Sequence, residues 1–465
     1  MTRVMREPPF RTLPRPQPVV LAGKRALVLG LGDTGLSVAR WVAAQGGVPR
    51  VADTRAAPPR ASDLGAAVEV VTGAFGEALL EGIDLVCISP GLSLEEPVVR
   101  GALARGVPVL GDIELFAWEA RRRSRAQGLA ITGTNGKTTV TSLTAHLLRA
   151  AGIECEAAGN IGPPALDALA KRLAAPPAAW VLELSSYQLE TTWALEPDAA
   201  ALLNITEDHL DRYAGIDEYA AAKARVFLGN GVQIVNRDDA RSMACALRGR
   251  DQVTFGLDAP ARDQDFGIAD GTWLVRGGQR IVAVADLAIF GLHNAANALA
   301  ACALAVAAGA ALGSLAQGLR TFRGLPHRLQ RVAVRRGVVW YDDSKGTNVG
   351  ATIAALRGLD RKAILIAGGE GKGQDFSALL GAVRARALRV LLIGRDAARI
   401  ERALTTGGVP LERCASLEQA VARAAECARP GEAVLLSPAC ASFDLFRDYR
   451  HRGEAFAAAV RALGD

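Results

Sequence analysis

The sequence lacks the features that mark secreted, membrane-spanning and zinc-binding proteins. Its seven cysteines are scattered along 465 residues without a Cys-x-x-Cys pair, so no zinc or thiol-redox motif is predicted. An odd number of widely spaced cysteines is typical of a reducing compartment. Residues 1–18 have no apolar core of a secretory signal, and nowhere do about 18 apolar residues follow one another. We therefore expect a cytoplasmic protein with a flexible tail over residues 1–18 and no membrane span.

Aromatic residues and charge of one sign are also scarce. Aromatics form 5% of the chain, and the net charge of +6 is modest for its length. No stretch combines clustered Lys and Arg with interleaved aromatics, so the sequence predicts no nucleic-acid partner. The one dense basic run, residues 121–125, is typical of a solvated helix end. The mild positive excess suits small anionic substrates.

What the sequence does have is an alternation of short apolar runs, glycine-rich turns and alanine-rich helical stretches. This alternation predicts βα units with parallel sheets, and therefore an α/β fold. Three blocks emerge, over residues 19–111, 112–325 and 326–465. In the second and third blocks the apolar runs end in polar residues, at the edge where open α/β sheets bind ligands.

A phosphate-binding loop lies near the start of the second block. Residues 133–138, with the sequence Gly-Thr-Asn-Gly-Lys-Thr, stand between an apolar run and a helical stretch. Glycines let backbone N–H groups approach phosphate oxygens, and the helix offers its positive dipole end. Lys137 can reach the β- and γ-phosphates, and the Thr138 hydroxyl can bind Mg²⁺. The match to the Walker pattern is imperfect, because Ile131 stands where a glycine is expected.

The loop predicts a nucleotide site without choosing between transport, signalling and ligation. Glu183 ends an apolar run, where a nucleotide enzyme needs a carboxylate for Mg²⁺. His209 lies in a polar cluster beyond another strand end. With Lys137 and Thr138, these residues could phosphorylate a carboxylate and then let an amine attack it. Lys223, in a helical stretch, would by itself be a solvated lysine.

At this point the chain resembles the Mur ligases and, more distantly, the folylpolyglutamate synthetases. The segments that carry the resemblance occur in family order and cover nearly the whole chain: residues 133–139, 159–162, 183–188, 204–209, 291–298, 325–328 and 343–345. Further segments are similar to the members that add D-glutamate: residues 30–35, 53–55, 89–91, 345–348, 371–376 and 437–443. The third block contains no Asp-Asn-Pro-Arg motif of the members that add diaminopimelate or lysine.

The resemblance implies a three-domain α/β ligase. A Rossmann-like N-terminal domain would bind a UDP-substrate, a central P-loop ATPase domain would bind ATP, and a Rossmann-like C-terminal domain would bind the amino acid. The implied reaction is the ATP-dependent ligation of D-glutamate to UDP-N-acetylmuramoyl-L-alanine in peptidoglycan precursor biosynthesis. It would proceed through an acyl-phosphate and release ADP and phosphate. The implied cofactors are ATP and two Mg²⁺ ions, and we expect a monomer.

The resemblance also implies roles for individual residues. For ATP these are Gly133, Thr134, Asn135, Gly136, Lys137, Thr138, Thr139, Asn297, Arg328 and Asp343. For the UDP-substrate they are Gly32, Asp33, Thr34, Gly35, Asp53, Thr54, Arg55, Ser89, Pro90, Gly91 and Asn160. For the D-glutamate pocket they are Lys345, Thr347, Lys372, Ser442, Phe443 and Tyr449. For the metal ions they are Thr138, Glu183, His209 and Lys223, the last after reaction with CO₂ to a carbamate; Lys137, His209, Lys223 and Lys345 would be catalytic.

Two features depart from the family pattern. The tail is longer than such ligases usually have. Asp33 puts an anion in the predicted diphosphate turn, where it should repel phosphate unless its side chain points away.

Three alternatives remain. The Gly-x-Gly-x-x-Gly pattern at residues 30–35, followed by Asp53, could mark an NAD-dependent dehydrogenase, although such an enzyme has no need of a triphosphate loop. A folylpolyglutamate-type ligase should lack the first block. A catalytically silent nucleotide-binding protein would have no reason to retain the whole set of predicted metal and phosphate residues. NADH fluorescence and ATP turnover would separate these cases.

Overall fold

The computed structural model describes residues 13–65, 68–209 and 211–463. Most of the predicted tail, residues 1–12, lies outside the described residues. Of its remaining residues, Leu13 and Pro16 are buried, with Leu13 in an apolar cluster with Leu27 and Val86, whereas residues 14, 15, 17 and 18 are exposed. Within the described ranges, no helix is long and apolar enough to cross a bilayer.

The first sheet has five parallel strands in the order β3-β2-β1-β4-β5. These are β1 (Arg25–Leu29), β2 (Val48–Asp53), β3 (Glu69–Thr72), β4 (Leu85–Ile88) and β5 (Val109–Leu110). Its helices are α1 (Asp33–Ala44), α2 (Pro97–Ala104) and α3 (Asp112–Arg123), with 3₁₀ turns at Ala61–Asp63 and Glu77–Leu80. Helix α3 leads to the second sheet and ends in the basic run, where Arg121 and Arg122 pair with Glu196 and Glu119. The prediction of a solvated helix end is confirmed.

The second sheet has nine strands in the order β14-β13-β12-β11-β10-β9-β6-β8-β7. These are β6 (Gln127–Thr132), β7 (Cys155–Gly159), β8 (Ala179–Glu183), β9 (Ala199–Leu202), β10 (Val232–Asn236), β11 (Gln252–Phe255), β12 (Phe266–Ala269), β13 (Trp273–Arg276) and β14 (Gln279–Ala283). Strands β6–β12 are parallel, whereas β12, β13 and β14 form an antiparallel meander at one edge. The central strands are buried on both faces, which explains their continuous apolar sequence.

Helices cover both faces of the second sheet. They are α4 (Lys137–Ala150), α5 (Ala165–Lys171), α6 (Ser186–Glu190), α7 (Ile216–Ala224), α8 (Ala240–Ala244), α9 (Leu292–Ala307) and α10 (Leu312–Thr321), with 3₁₀ turns at Arg225–Phe227 and Val284–Asp286. Helices α4, α9 and α10 share one apolar core with the sheet. The core on the other face continues into the first sheet, so the first two units pack as neighbours.

The third sheet has six strands in the order β15-β16-β20-β17-β18-β19. These are β15 (Gln330–Arg335), β16 (Val338–Asp342), β17 (Ala363–Gly368), β18 (Ala387–Ile393), β19 (Leu411–Arg413) and β20 (Ala433–Leu436). Its helices are α11 (Val349–Gly358), α12 (Leu379–Arg386), α13 (Ala397–Leu404), α14 (Leu417–Cys427) and α15 (Tyr449–Ala462), with a 3₁₀ turn at Thr405–Gly407. Only β15 runs antiparallel to its neighbour. Helices again cover both faces, and the predicted α/β fold is confirmed.

Candidate active site

The predicted phosphate loop joins β6 to α4 in the middle of the second sheet. Gly136 begins the helix at φ +85°, and a Cβ there would lie 2.5 Å from Asn297 Oδ1, so the position requires glycine. Lys137 curls back over the loop, and its Nζ donates to the carbonyl oxygens of Gly133 and Thr134 at 2.8 and 2.7 Å. Burial lowers the pKa of Lys137, an effect that the Glu183 carboxylate partly offsets.

Glu183 stands beside this loop because β8 pairs with β6 and places Glu183 opposite Ile131. Its Oε1 accepts a hydrogen bond from Asn160 Nδ2 at 2.7 Å. Its Oε2 is buried and has no hydrogen-bond partner within the described residues. A buried carboxylate oxygen without a partner is costly, and a cation would satisfy it. The donor set therefore fits a divalent ion next to the phosphate loop.

Lys223 is the most buried of the predicted metal ligands, at 1% exposure. Its Nζ donates to the Gly133 carbonyl oxygen at 2.9 Å and lies 4.5 Å from the centre of the Tyr219 ring. Burial lowers the pKa of Lys223 well below its ordinary value, and the neighbouring Lys137 charge lowers it further. The sequence alone suggested a solvated lysine here, and that expectation is wrong, because tertiary packing carries this face of α7 beneath the phosphate loop.

His209 lies beyond β9, on the other side of the phosphate loop, with a left-handed backbone at φ +56°. Its Nδ1 lies 2.8 Å from the Tyr187 hydroxyl, and its Nε2 lies 3.8 Å from Asp208 Oδ2. Burial lowers the pKa of His209, and so do the charges of Lys372 and Lys223. Sequence analysis missed Tyr187, although its segment carries part of the family resemblance.

Glu183 and His209 do not form a complete metal cage by themselves. Over the described ranges, no three His, Cys, Asp or Glu side chains are grouped closely enough to hold an ion. This agrees with the coordination habit of Mg²⁺, which takes few protein ligands and completes its shell with substrate phosphates and water.

A cavity of about 250 Å³ lies between the phosphate loop, α9 and the third unit. The predicted ATP residues that line it are Asn135, Gly136, Thr139, Asn297, Arg328 and Asp343. Apolar Phe255 and Leu257 line it too, as the face of a purine base requires. Arg328 spans the units, because its Nη2 donates to Thr138 Oγ1 at 2.6 Å. Burial raises the pKa of Asp343 to about 7.

A larger cleft of about 660 Å³ opens between the carboxyl ends of the first and second sheets. Ten of the eleven predicted UDP-substrate residues line it: Gly32, Asp33, Thr34, Asp53, Thr54, Arg55, Ser89, Pro90, Gly91 and Asn160. Gly35 lies behind it, where an added Cβ would come within 1.8 Å of the Gly30 carbonyl oxygen. Gly35 therefore serves close packing of α1 against the turn.

The acidic residues of this cleft are already neutralised. Asp33 lines the cleft, but its Oδ1 lies 2.6 Å from Arg60 Nε, so the guanidinium offsets its charge. Asp53 is buried and accepts two side-chain hydrogen bonds from Arg55 and one from the Leu31 N–H, which lower the pKa of Asp53. The conflict expected at Asp33 is thus resolved. Both oxygens of Asp53 are engaged, which argues against the dehydrogenase alternative.

The predicted amino-acid residues lie on three loops of the third unit and, for Tyr449, at the start of helix α15. Lys345 Nζ sits 4.0 Å from the centre of the Tyr449 ring, and burial with the Arg328 and Lys137 charges lowers the pKa of Lys345 to about 8. Thr347 donates its N–H to the Lys345 carbonyl oxygen at 2.8 Å. Lys372 is exposed, yet its charge reaches His209.

The last two predicted residues of this pocket, Ser442 and Phe443, differ in burial. Ser442 is buried at 2% exposure, whereas the Phe443 side chain is 66% exposed and is not gathered into an enclosed pocket. Sequence analysis missed Asn348, which caps α11 and donates to Asn135 Oδ1 at 3.0 Å across the units. The Lys-Gly-Thr-Asn segment at residues 345–348 was the available signal.

The fold and the site together define a P-loop nucleotide enzyme built from three α/β sheets. Three family models match successive parts of the chain: the Mur ligase MurD-like N-terminal domain over residues 24–111, the Mur ligase middle domain over residues 131–305 and the Mur ligase glutamate ligase domain over residues 327–440.

Known proteins agree with these matches. The UDP-N-acetylmuramoylalanine–D-glutamate ligase of Aromatoleum aromaticum is 56% identical over 457 residues, covering 95% of this chain and 98% of that protein. The ligase of the same name from Nitrosospira multiformis is 53% identical, covering 95% and 96%. The chain belongs to the Mur ligase family, whose members are ATP- and Mg²⁺-dependent ligases of peptidoglycan precursor synthesis.

Solved structures of distant sequence have the same fold. The UDP-N-acetylmuramate-alanine ligase from Thermotoga maritima has a TM-score of 0.58 at 18% identity, covering 94% of this chain and 99% of that chain. MurF from Acinetobacter baumannii has a TM-score of 0.60 at 18% identity, covering 96% and 94%. The family and fold predicted from sequence are therefore confirmed.

Proposed function

We propose that this chain joins D-glutamate to UDP-N-acetylmuramoyl-L-alanine, using ATP and releasing ADP and phosphate. The names of relatives at 56% and 53% identity over nearly the whole chain support this reaction. The observation that carries it is a contact: Asn160, which lines the larger cleft, donates to Glu183 beside the phosphate loop. A substrate in the cleft would therefore present its far end to the nucleotide.

The first step would join the alanyl carboxylate to the γ-phosphoryl group. A carboxylate oxygen forms a bond to phosphorus while the bond from phosphorus to the ADP oxygen breaks, which yields an acyl-phosphate and ADP. Lys137 and the backbone N–H groups of residues 133–138 would hold the β- and γ-phosphates and offset their charge. Mg²⁺ held by Thr138 and Glu183 would supply Lewis-acid stabilisation there.

The second step would release phosphate. The D-glutamate amine attacks the acyl carbon, the amide bond forms, and phosphate leaves with one oxygen of the former carboxylate. The nitrogen loses a proton, which the departing phosphate accepts. Lys345 and Lys372 suit the two carboxylates of the amino acid, and Thr347, Ser442 and Tyr449 would complete its pocket, with the exposed Phe443 next to Ser442 in the chain. Lys345 also lines the nucleotide cavity.

The nucleotide cavity would hold the rest of ATP. Asn297 would contact adenine, Arg328 a phosphate, and Asp343 the ribose. The contact of Arg328 with Thr138 supports this assignment, because it brings a cation of the third unit to the phosphate loop. Water must be kept from the acyl-phosphate, which the third unit would do by covering the second.

A second Mg²⁺ would be held by His209 and by Lys223 after carbamylation. The neutral amine of Lys223 would react with CO₂ to give a carbamate and a proton, which replaces a cation with carboxylate-like oxygens. The lowered pKa of Lys223, caused by its burial, supports this step because only the neutral amine is nucleophilic. The orphan oxygen of Glu183 supports the first ion.

The testing experiment is a phosphate-release assay with UDP-N-acetylmuramoyl-L-alanine and a panel of amino acids. We expect phosphate and ADP in equal amounts with D-glutamate, and background release with L-glutamate, D-alanine, L-lysine and diaminopimelate. Lys137→Ala is the inactive control. Background release with D-glutamate from demonstrably folded enzyme would contradict the proposal.

We further propose that residues 19–111, 112–325 and 326–465 are the three domains, and that the enzyme is a cytoplasmic monomer. The three sheets lie within these ranges. All seven cysteines are free thiols, which fits a reducing compartment. Light scattering with limited proteolysis would test the monomer and the boundaries.

A further inference from the structure

The third unit also contributes to the larger cleft. Most of its lining comes from the first two units, but Arg450 of helix α15 reaches it from the third. Among the described residues that line the cleft, Arg450 is the only one from the third unit. Its position therefore links the third unit to a cavity that is otherwise built by the other two.

Arg450 differs from Arg55, the other arginine that lines this cleft, in how its charge is paired. Arg55 pairs with Asp53 inside the cleft, and Arg60, close by, pairs with Asp33. Within residues 13–65, 68–209 and 211–463, no ion pair joins the guanidinium of Arg450 to a carboxylate, although the hydrogen bond to Tyr449 and the charges of Asp448 and Glu454 raise the pKa of Arg450. It thus brings a guanidinium that forms no ion pair within these ranges to a cavity whose two aspartates each pair with another arginine.

Helix stability does not explain Arg450. The residue lies in the first turn of α15, where a cation opposes the helix dipole. The helix start is already capped by Asp448, whose Oδ1 accepts a hydrogen bond from the His451 N–H at 2.8 Å. The position costs some helix stability, so a role outside the helix accounts for it better.

Tyr449 holds Arg450 in place. The Nε of Arg450 donates to the Tyr449 hydroxyl at 3.2 Å, while the ring of the same tyrosine lies under Lys345. One aromatic side chain thus organises two cations, Lys345 at the nucleotide cavity and Arg450 at the cleft. The charge of Arg450 also contributes to the lowered pKa of Lys345, after burial and the nearer cations, so the two groups share one electrostatic environment.

We propose that Arg450 is a substrate-binding residue that pairs with an anionic group of the UDP-linked substrate from the third unit. The inference rests on the proposed function, which supplies that substrate. Two of its groups have the required chemistry, the diphosphate and the alanyl carboxylate, and a guanidinium binds either through charge-assisted hydrogen bonds. The affinity of the cleft for its substrate therefore depends on the third unit.

The test compares Arg450→Ala and Arg450→Lys with wild type by calorimetric titration. The ligands are UDP-N-acetylmuramoyl-L-alanine and UDP alone, each at two salt concentrations. Arg447→Ala is the matched control, because Arg447 is an exposed arginine three residues away that does not line the cleft. Thermal unfolding checks that each variant is folded, and steady-state assays give KM for D-glutamate and ATP.

We expect Arg450→Ala to raise the Kd of the muramoyl nucleotide about tenfold, which is about 1.4 kcal/mol, with Arg450→Lys in between. The KM values for ATP and D-glutamate should stay within about twofold, and high salt should narrow the difference. If the affinity for UDP falls by the same factor, Arg450 contacts the diphosphate. If only the affinity for the full substrate falls, Arg450 contacts the carboxylate.

Equal Kd values for wild type and Arg450→Ala would overturn the role of Arg450 and leave the proposed function standing. A rise in KM for D-glutamate alone, with unchanged binding of the muramoyl nucleotide, would also overturn the role of Arg450. Failure of the wild type itself to bind the muramoyl nucleotide would overturn the proposed function, and this inference with it.

Discussion

The phosphate loop and the larger cleft treat charge in opposite ways. Around the loop, the half-buried Lys137 and the buried Lys223 donate to carbonyl oxygens, and an oxygen of Glu183 has no partner within the described residues. In the cleft, by contrast, each acidic side chain is paired with its own arginine. Charged groups near the phosphate loop therefore lack some of the opposite charges they need, whereas the acidic groups of the cleft have theirs.

The unpaired charges indicate that the chemical reaction takes place at the phosphate loop. Buried charges without partners destabilise a folded chain, so their persistence indicates a ligand that supplies the opposite charge. A triphosphate with its metal ion is such a ligand. A cleft whose aspartates are neutralised, in contrast, suits a large anionic substrate, because those carboxylates then repel it less.

Removing the loop lysine should break the chemistry without breaking the fold. Lys137→Ala should lower kcat by about 10³-fold or more, because the transferring phosphoryl group loses its fixed cation. Steady-state phosphate release measures kcat, and thermal unfolding measures stability. Lys171→Ala, an exposed lysine at the end of α5, is the control and should retain full activity. Normal turnover by Lys137→Ala would contradict the assignment of the loop.

An added carboxylate should restore activity to an enzyme that lacks Lys223. Lys223→Ala should lower kcat about 10²-fold, and acetate or propionate should largely restore it if a carbamate binds metal. The same carboxylates should not rescue Lys137→Ala. Carbon-13 NMR with labelled bicarbonate should show a carbamate signal in wild type and none in Lys223→Ala. Rescue without that signal, or the signal without rescue, would count against the carbamate as a metal ligand.

The binding of D-glutamate should weaken at alkaline pH. The pKa of Lys345, about 8 because of burial and neighbouring cations, keeps it charged below that pH and neutral above it. KM for D-glutamate should therefore rise as pH increases beyond about 8, by about tenfold per unit at most. Lys345→Arg should flatten this rise, since a guanidinium remains charged. An identical pH profile in both enzymes would rule out Lys345 as the titrating group.

The smallest effect should come from the cleft itself. Arg60→Ala leaves Asp33 unpaired at the diphosphate turn, so KM for the muramoyl nucleotide should rise about two- to fivefold at low salt. Asp33→Asn in the same chain should restore it. The double-mutant cycle thus isolates the neutralising pair. A rise that persists in the double variant would mean that Arg60 acts on substrate directly.

Much of this arrangement was predictable from sequence because it depends on local backbone chemistry. The phosphate loop is set by glycines and a lysine within a few residues, and apolar runs ending in polar residues indicate the binding edge of a sheet. The antiparallel β13–β14 hairpin was missed, although Gly277 and Gly278 form a typical hairpin turn between the strands.

The orientation and burial of several side chains could not be predicted from sequence, because they depend on contacts between residues distant in the chain. The orientation of Asp33 depends on Arg60, 27 residues away. The burial of Lys223 depends on its contact with Gly133, 90 residues away. Nothing local marks Arg450 as facing a cleft built by other units. Such side chains show their role only after the sheets are packed together.

Transfer of an oxygen isotope would show whether ATP activates the alanyl carboxylate. UDP-N-acetylmuramoyl-L-alanine labelled with oxygen-18 in its alanyl carboxylate would be converted with ATP and D-glutamate, and the released phosphate analysed by mass spectrometry. An acyl-phosphate route predicts one labelled oxygen in each phosphate formed. Unlabelled phosphate, with amide product formed at the same rate, would contradict activation of the carboxylate by ATP.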